Sequence, residues 1–150
     1  MPHLRPVLIA EDNPNDVELI LAALQEARLA NEIAVAGDGV EALDFLHCRG
    51  AHAGRAPVEP AVILLDLKMP RIDGLEVLRQ VRADPHLRHI PVVVLTSSRE
   101  DQDLIRTYHH GVNAYVVKPV EFDEFISAVA RLGVFWALLN EPPPASTLPA

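Results

Sequence analysis

Five short apolar runs, each followed by a stretch with helical periodicity, constrain the fold of this chain more than any other feature. The runs cover residues 6–10, 32–36, 61–65, 91–95 and 114–117. Four of them are almost continuously apolar and two are rich in valine, which is typical of strands buried on both faces of a parallel sheet. Their alternation with helices predicts a doubly wound α/β fold with right-handed crossovers.

Apolar residues three and four apart fill the intervals between the runs. They predict helices over about 15–29, near Leu43 and Leu46, over 75–81, over 104–108, and from Phe122 onward through Trp136. A length of 150 residues fits one domain with a substantial core.

Polar side chains stand at four of the five expected strand ends. Glu11 and Asp12 follow the first run, Asp66 the third, Thr96 and Ser97 the fourth, and Lys118 and Pro119 the fifth. A single acid after a strand is most often a helix N-cap. In doubly wound sheets, however, ligands bind outside the carboxyl ends of the strands. The complete set therefore predicts a binding site at that edge.

The residue types at these ends favour magnesium and phosphoryl chemistry. Three nearby carboxylates repel one another unless a cation lies among them, and oxygen ligands without His or Cys favour Mg²⁺ over zinc or copper. Lys118 adds positive charge where an anion would bind. The Thr96 hydroxyl and the backbone N–H of Ser97 could hold phosphoryl oxygens. An aspartate such as Asp66 can itself be the nucleophile that forms an acyl phosphate.

These motifs resemble those of response regulator receiver domains, the phosphoryl-accepting partners of two-component systems. The matching stretches are Glu11-Asp12, "LLDLKMPRIDG" around Asp66, "VVVLTSS" around Thr96, and the run from Tyr115 to Pro119. The resemblance covers roughly residues 5 to 139. It implies a flavodoxin-like (βα)5 fold with a five-stranded parallel sheet in the order 2-1-3-4-5. We expect a receiver domain at 1–140 and a proline-rich tail at 141–150.

The resemblance also implies roles for individual residues. Asp66 would be the phosphoacceptor, and Mg²⁺ would be held by Glu11, Asp12, Asp66 and the backbone carbonyl of Lys68. Thr96, Ser97 and Lys118 would bind the phosphoryl group, Thr96 and Tyr115 would form the switch, and a cis bond would precede Pro119. From the residues alone, Tyr115 could equally be a core aromatic, Thr96 a helix cap, and Lys68 a solvated cation.

Three stretches are similar to those of single-domain regulators paired with bacterial phytochrome kinases. They are the connection "HCRGAHAGRAPVEP" over residues 47–60, "DPHLRHIPVVVLTSS" over residues 84–98, and the ending "FWALLNEPPP". This similarity implies a sensor histidine kinase as partner. The connection is longer than most helix-to-strand loops and is either a partner surface or a tolerated insertion.

Several functions fit these motifs. The leading hypothesis is a signalling switch that is not a conventional enzyme but catalyses its own phosphotransfer and autodephosphorylation. Alternatives are an intermediate or sink in a phosphorelay, an Mg²⁺-dependent small-molecule phosphatase, and an inactive interaction module. The phosphatase is disfavoured because Lys68 stands where such enzymes place a proton-donating acid. We expect no output domain after the receiver domain, and therefore regulation through protein contacts or phosphate relay.

Charge and composition exclude other classes. The net charge of −8 opposes direct nucleic-acid binding. Every apolar run is too short to cross a membrane, and the N-terminus lacks a signal-peptide core. Cys48 is the only cysteine, so we expect a reducing, cytoplasmic location. The seven histidines are scattered and predict no zinc site.

The last helical pattern carries more apolar surface than one core-facing stripe needs. Phe135 and Trp136 lie beyond the residues expected to face the sheet, and monomers seldom expose such a cluster. The resemblance to receiver domains implies a homodimer through the helix at 104–108, the strand at 114–117 and the last helix. The alternative is that this end folds back on its own domain.

Overall fold

Five parallel strands and the helices between them form the core of the molecule. The computed structural model describes residues 5–26, 31–96 and 114–132. Its elements are β1 (Val7–Ala10), α1 (Pro14–Glu26), β2 (Ile33–Ala36), α2 (Gly39–Leu46), a 3₁₀ turn (Gly50–His52), β3 (Val62–Asp66), α3 (Gly74–Ala83), β4 (Val92–Thr96), β5 (Ala114–Val117) and α4 (Phe122–Leu132). The helix expected at 104–108 lies outside the described residues.

The strands are hydrogen-bonded in the order β2-β1-β3-β4-β5, and every neighbouring pair is parallel. The predicted fold and strand order are therefore confirmed. Ala10 is the register partner of Leu65, Asp66 of Leu95, and Thr96 of Val117. This register brings the carboxyl ends of the central strands to one edge of the sheet.

Alternate strand residues bury opposite faces of the sheet. Leu8 and Leu65 join the apolar cluster beneath α2 and α3, whereas Ile9 and Leu64 join the cluster beneath α1 and α4. β1 and β3 are buried along their whole length. A continuous apolar run in sequence corresponds, in these two strands, to burial on both faces.

The prediction of burial on both faces is wrong for β2, which lies at the edge of the sheet. Ala36 faces the cluster beneath α2, but Ile33 and Val35 remain 37% and 39% exposed. An edge strand has a neighbour on one side only, so the helices need not cover it completely. An apolar run does not reveal whether its strand is central or at an edge.

Carboxylate caps begin α2 and α3. Asp38 accepts a hydrogen bond from Glu41 N at 2.8 Å at the start of α2, and Asp73 accepts one from Glu76 N at 2.9 Å at the start of α3. Both satisfy backbone donors that a helix leaves unpaired at its N-terminus. Within the described ranges, no helix has the length and apolar character needed to cross a bilayer.

Candidate functional site

Three carboxylates meet at the carboxyl ends of β1 and β3. Glu11 and Asp12 follow β1, and Asp66 is the last residue of β3. One oxygen from each lies within 4.8 Å of the others. They meet because β1 and β3 are adjacent and in register at Ala10 and Leu65. Glu11 and Asp66 are only 1% and 4% exposed, whereas Asp12 faces solvent.

The ammonium of Lys118 reaches this cluster from the end of β5, an edge strand of the sheet. Its Nζ lies 2.5 Å from Glu11 Oε1 and 3.3 Å from Asp66 Oδ1. Lys118 follows β5 directly, and its bond to Pro119 is cis, as expected. The side chain thus connects the fifth strand to residues that follow the first and third.

Asp16 is a fourth acid at the site that the sequence analysis missed. It lies in the first turn of α1, and its Oδ2 accepts a hydrogen bond from Lys118 Nζ at 3.1 Å. The available signal was its position in the first turn of the helix that follows Glu11 and Asp12. Lys118 is therefore held by three carboxylates.

Burial and mutual repulsion shift the pKa of Glu11. Desolvation is the largest cause, and the neighbouring Asp66 carboxyl reinforces it. Together they outweigh Lys118 and raise the pKa of Glu11 from 4.5 to about 8. Burial alone would lower the pKa of Lys118. Its hydrogen bond to Glu11 and the charge of Asp66 reverse that effect and hold the pKa above its usual value.

The donor set of this cluster fits a hard divalent cation. Glu11 Oε2 is buried and has no hydrogen-bond partner among the described residues, although buried polar atoms are nearly always paired. The neighbouring oxygens come from Asp12 and Asp66, and all three residues offer only oxygen ligands. A cation among them would both satisfy the unpaired oxygen and relieve the repulsion between the acids.

The remaining predicted residues are placed in part. Lys68 is exposed in the connection after β3, and Tyr115 is half-buried against the cluster beneath α2 and α3. Thr96 ends β4, but its side chain is not described. Ser97, Phe135, Trp136 and the tail at 141–150 lie outside the described residues.

Comparison with known proteins gives a consistent result. The family profile described as "Response regulator receiver domain" matches residues 7–130. The bacteriophytochrome response regulator AtBRR, whose structure is known, is 63% identical in sequence to this chain. The structural match covers 93% of this chain and 100% of AtBRR, with a TM-score of 0.87.

Two more distant relatives extend this picture. The probable methanogenesis regulatory protein FilR2 of Methanothrix harundinacea is 39% identical over 137 residues, 91% of this chain and 86% of FilR2. The response regulator Rcp1 of Synechocystis sp. is 35% identical over 130 residues, 87% of each protein. The crystal structure of its Mn²⁺-bound form is 34% identical, with a TM-score of 0.71 over 97% of this chain and 99% of that one. The chain therefore belongs to the response regulator receiver domain family of two-component signalling proteins, and it is related to the phytochrome response regulators.

Proposed function

We propose that this chain accepts a phosphoryl group from a sensor histidine kinase on Asp66, with Mg²⁺ at the acidic cluster, and signals through protein–protein contacts. The observation that carries the proposal is the position of Lys118. Its ammonium lies 3.3 Å from Asp66 Oδ1, beside the acidic cluster that also contains Glu11 and Asp12. A nucleophilic carboxylate, a fixed cation and a divalent-metal donor set are the parts that phosphoryl transfer to an aspartate requires.

In the proposed reaction, a carboxylate oxygen of Asp66 attacks the phosphorus of a phosphohistidine. The P–N bond breaks, its electron pair stays on the imidazole nitrogen, and an acyl phosphate forms on Asp66. Lys118 pairs with the negative charge that the phosphoryl group brings. Bound Mg²⁺ would contribute charge neutralisation among Glu11, Asp12 and Asp66 and polarise a phosphoryl oxygen. Attack by water on the acyl phosphate later releases phosphate and restores the carboxylate.

Similarity to AtBRR supports a phytochrome kinase as the phosphoryl donor. AtBRR is a bacteriophytochrome response regulator, and it is 63% identical to this chain. We propose a receiver domain at residues 1–140 and a proline-rich tail at 141–150. The proposed domain extends slightly beyond the range that matches the family, 7–130.

The proposed switch uses Thr96 and Tyr115. Phosphorylation would draw the Thr96 hydroxyl toward the phosphoryl group, and Tyr115, now half-buried on β5, would turn inward. A few kcal/mol of differential contact shifts a two-state element of this kind. NMR spectra with and without beryllofluoride should report a change at Tyr115, and an unmoved ring would contradict the switch but not the phosphotransfer.

The central test is the substitution Asp66→Asn. In the presence of Mg²⁺ and labelled acetyl phosphate, the wild type should acquire label that hydroxylamine removes, as expected of an acyl phosphate. Asp66→Asn should lose this label to background because an amide is a poor nucleophile. Asp123→Asn is the matched control, since Asp123 is exposed in the first turn of α4, and it should be labelled like the wild type. Undiminished labelling of a folded Asp66→Asn variant would place the nucleophile elsewhere.

A further inference from the structure

The connection between β3 and α3, residues 67–73, is held tightly at its two ends. It starts directly after Asp66 and carries Lys68. Gly74 N donates to Leu67 O at 2.9 Å. A Cβ on Gly74 would lie 2.1 Å from the Asp66 carbonyl oxygen and 2.7 Å from Leu67 Cα. Only glycine permits this approach, so the end of the connection rests against the backbone of the proposed phosphoacceptor.

The middle of the connection has an uncommon backbone conformation. Ile72 N donates to Pro70 O at 2.9 Å, which closes a three-residue turn around Arg71. Arg71 has a φ of 70°, a value that residues other than glycine rarely adopt. Such a conformation persists only where the surrounding structure determines it.

The N-terminus of α2 supplies that surrounding structure. A Cβ on Gly39 would lie 2.0 Å from the carbonyl oxygen of Ile72 and 2.7 Å from its carbonyl carbon. Asp38 Oδ1 caps α2 through Glu41 N, while Asp38 Oδ2 accepts a long hydrogen bond of 3.4 Å from Arg71 Nη1. One aspartate therefore both begins the helix and contacts the strained turn.

A displacement at Ile72 cannot easily be absorbed on the side that leads to α3. The side that leads to α3 is closed by the contact of Gly74 with the Asp66 carbonyl. We therefore expect a shift at Ile72 to be taken up by residues 67–71, which directly follow Asp66 and include Lys68.

We propose that the N-terminus of α2, through Gly39 and Asp38, positions the 67–73 connection and so determines how well the site binds its divalent cation. Gly39 and Asp38 do not belong to the acidic cluster of Glu11, Asp12 and Asp66. Their role is positioning, comparable to that of residues that orient metal ligands from outside the ligand set. The inference rests on the proposed function, because it concerns the same metal-binding site.

The first test compares Gly39→Ala with the control Gly54→Ala. A Cβ on Gly54 would have no neighbour within 4 Å, so this variant should behave like the wild type. Gly39→Ala must displace Ile72, and its affinity for Mg²⁺ measured by calorimetry should fall roughly tenfold. Urea denaturation in EDTA would confirm that both variants are folded. If the wild type binds no Mg²⁺, the proposed function fails. If it binds but folded Gly39→Ala binds equally well, the positioning role alone fails.

A second pair of variants decides the question even if Gly39→Ala does not fold. Asp38→Asn keeps a good N-cap residue but loses the charge that faces Arg71. Arg71→Gln removes a positive charge near the site, which by electrostatics alone would strengthen binding of a cation. If the contact positions the connection, its loss should instead lower the affinity for Mg²⁺, so both single variants should bind Mg²⁺ more weakly than the wild type. The double variant should bind no more weakly than either single variant, because both substitutions remove the same contact. Stronger binding by Arg71→Gln, or wild-type binding by both single variants, would overturn the inference.

Discussion

Glu11 is a buried carboxyl whose charge state should change when a divalent cation binds beside it. Its pKa is raised to about 8 by burial and by Asp66, so the native state holds a proton that the unfolded chain releases near pH 4.5. Between these values the native state binds more protons than the unfolded state. Stability without metal should therefore fall as pH rises through this window. Mg²⁺ requires the ionised form, so its binding should strengthen over the same range.

This linkage can be measured by urea denaturation between about pH 5 and pH 8, once in EDTA and once in excess Mg²⁺. In EDTA, the free energy of unfolding should fall as pH rises and Glu11 ionises in the unfolded chain, by up to about 1.4 kcal/mol per pH unit. Excess Mg²⁺ should remove the decline. Glu11→Gln, which cannot ionise, should flatten the profile in EDTA. If Glu11→Gln showed the same slope as the wild type, the decline would belong to another group.

Individual site residues were predictable to the extent that they ended strands. Glu11, Asp12, Asp66 and Lys118 stand at strand ends, so the topology alone predicted that they would meet. Asp16 stands inside α1, where an acid in the first turn has an ordinary explanation in the helix dipole. Its contact with Lys118 depends on how α1 lies against the sheet, and apolar periodicity does not specify that geometry.

Among the elements, the strands agree with the sequence to within one residue at each boundary. The predicted runs at 6–10 and 61–65 became Val7–Ala10 and Val62–Asp66. The conformation of the connection at 47–60 was not predictable, because several of its contacts are made by one side chain, that of Arg55. Arg55 donates its Nε and Nη2 to Phe45 O at 3.1 and 2.7 Å and lies 3.9 Å above the Phe45 ring. Its Nη1 donates to Ala56 O and Val58 O at 3.0 and 2.8 Å.

Replacing Arg55 with lysine should therefore destabilise the fold although the charge is kept. Lysine lacks the planar guanidinium group and cannot donate hydrogen bonds to these three carbonyl oxygens at the same time. We expect a loss of about 1–2 kcal/mol in the free energy of unfolding. Arg49→Lys is the control: Arg49 is largely exposed and contacts Asp44 at 2.9 Å, so its replacement should cost less than about 0.5 kcal/mol. Equal effects of the two variants would show that Arg55 does not brace the connection.

At the scale of the whole molecule, we expect a homodimer held partly by Phe135 and Trp136, whether or not Asp66 is phosphorylated. Two large aromatic side chains can each bury about 150–250 Å², and a twofold pair would bury the same patch on both subunits. Light scattering at micromolar concentration should give the mass of a dimer. The double variant Phe135→Ala/Trp136→Ala should dissociate more readily. Leu19→Ala, which removes an exposed apolar side chain from α1, should leave the mass unchanged. A strictly monomeric wild type would contradict this expectation.

The reach of Lys118 to Glu11 has a consequence for how the protein is made. These residues are 107 positions apart, and contacts between distant residues form only after long segments of chain have closed. During synthesis, the acids that follow β1 and β3 emerge well before β5. Until β5 pairs with β4, those acids lack the ammonium that balances them. A nascent or prematurely ended chain therefore carries the proposed phosphoacceptor, Asp66, without the ammonium of Lys118, and we expect phosphoryl acceptance only once the sheet is complete.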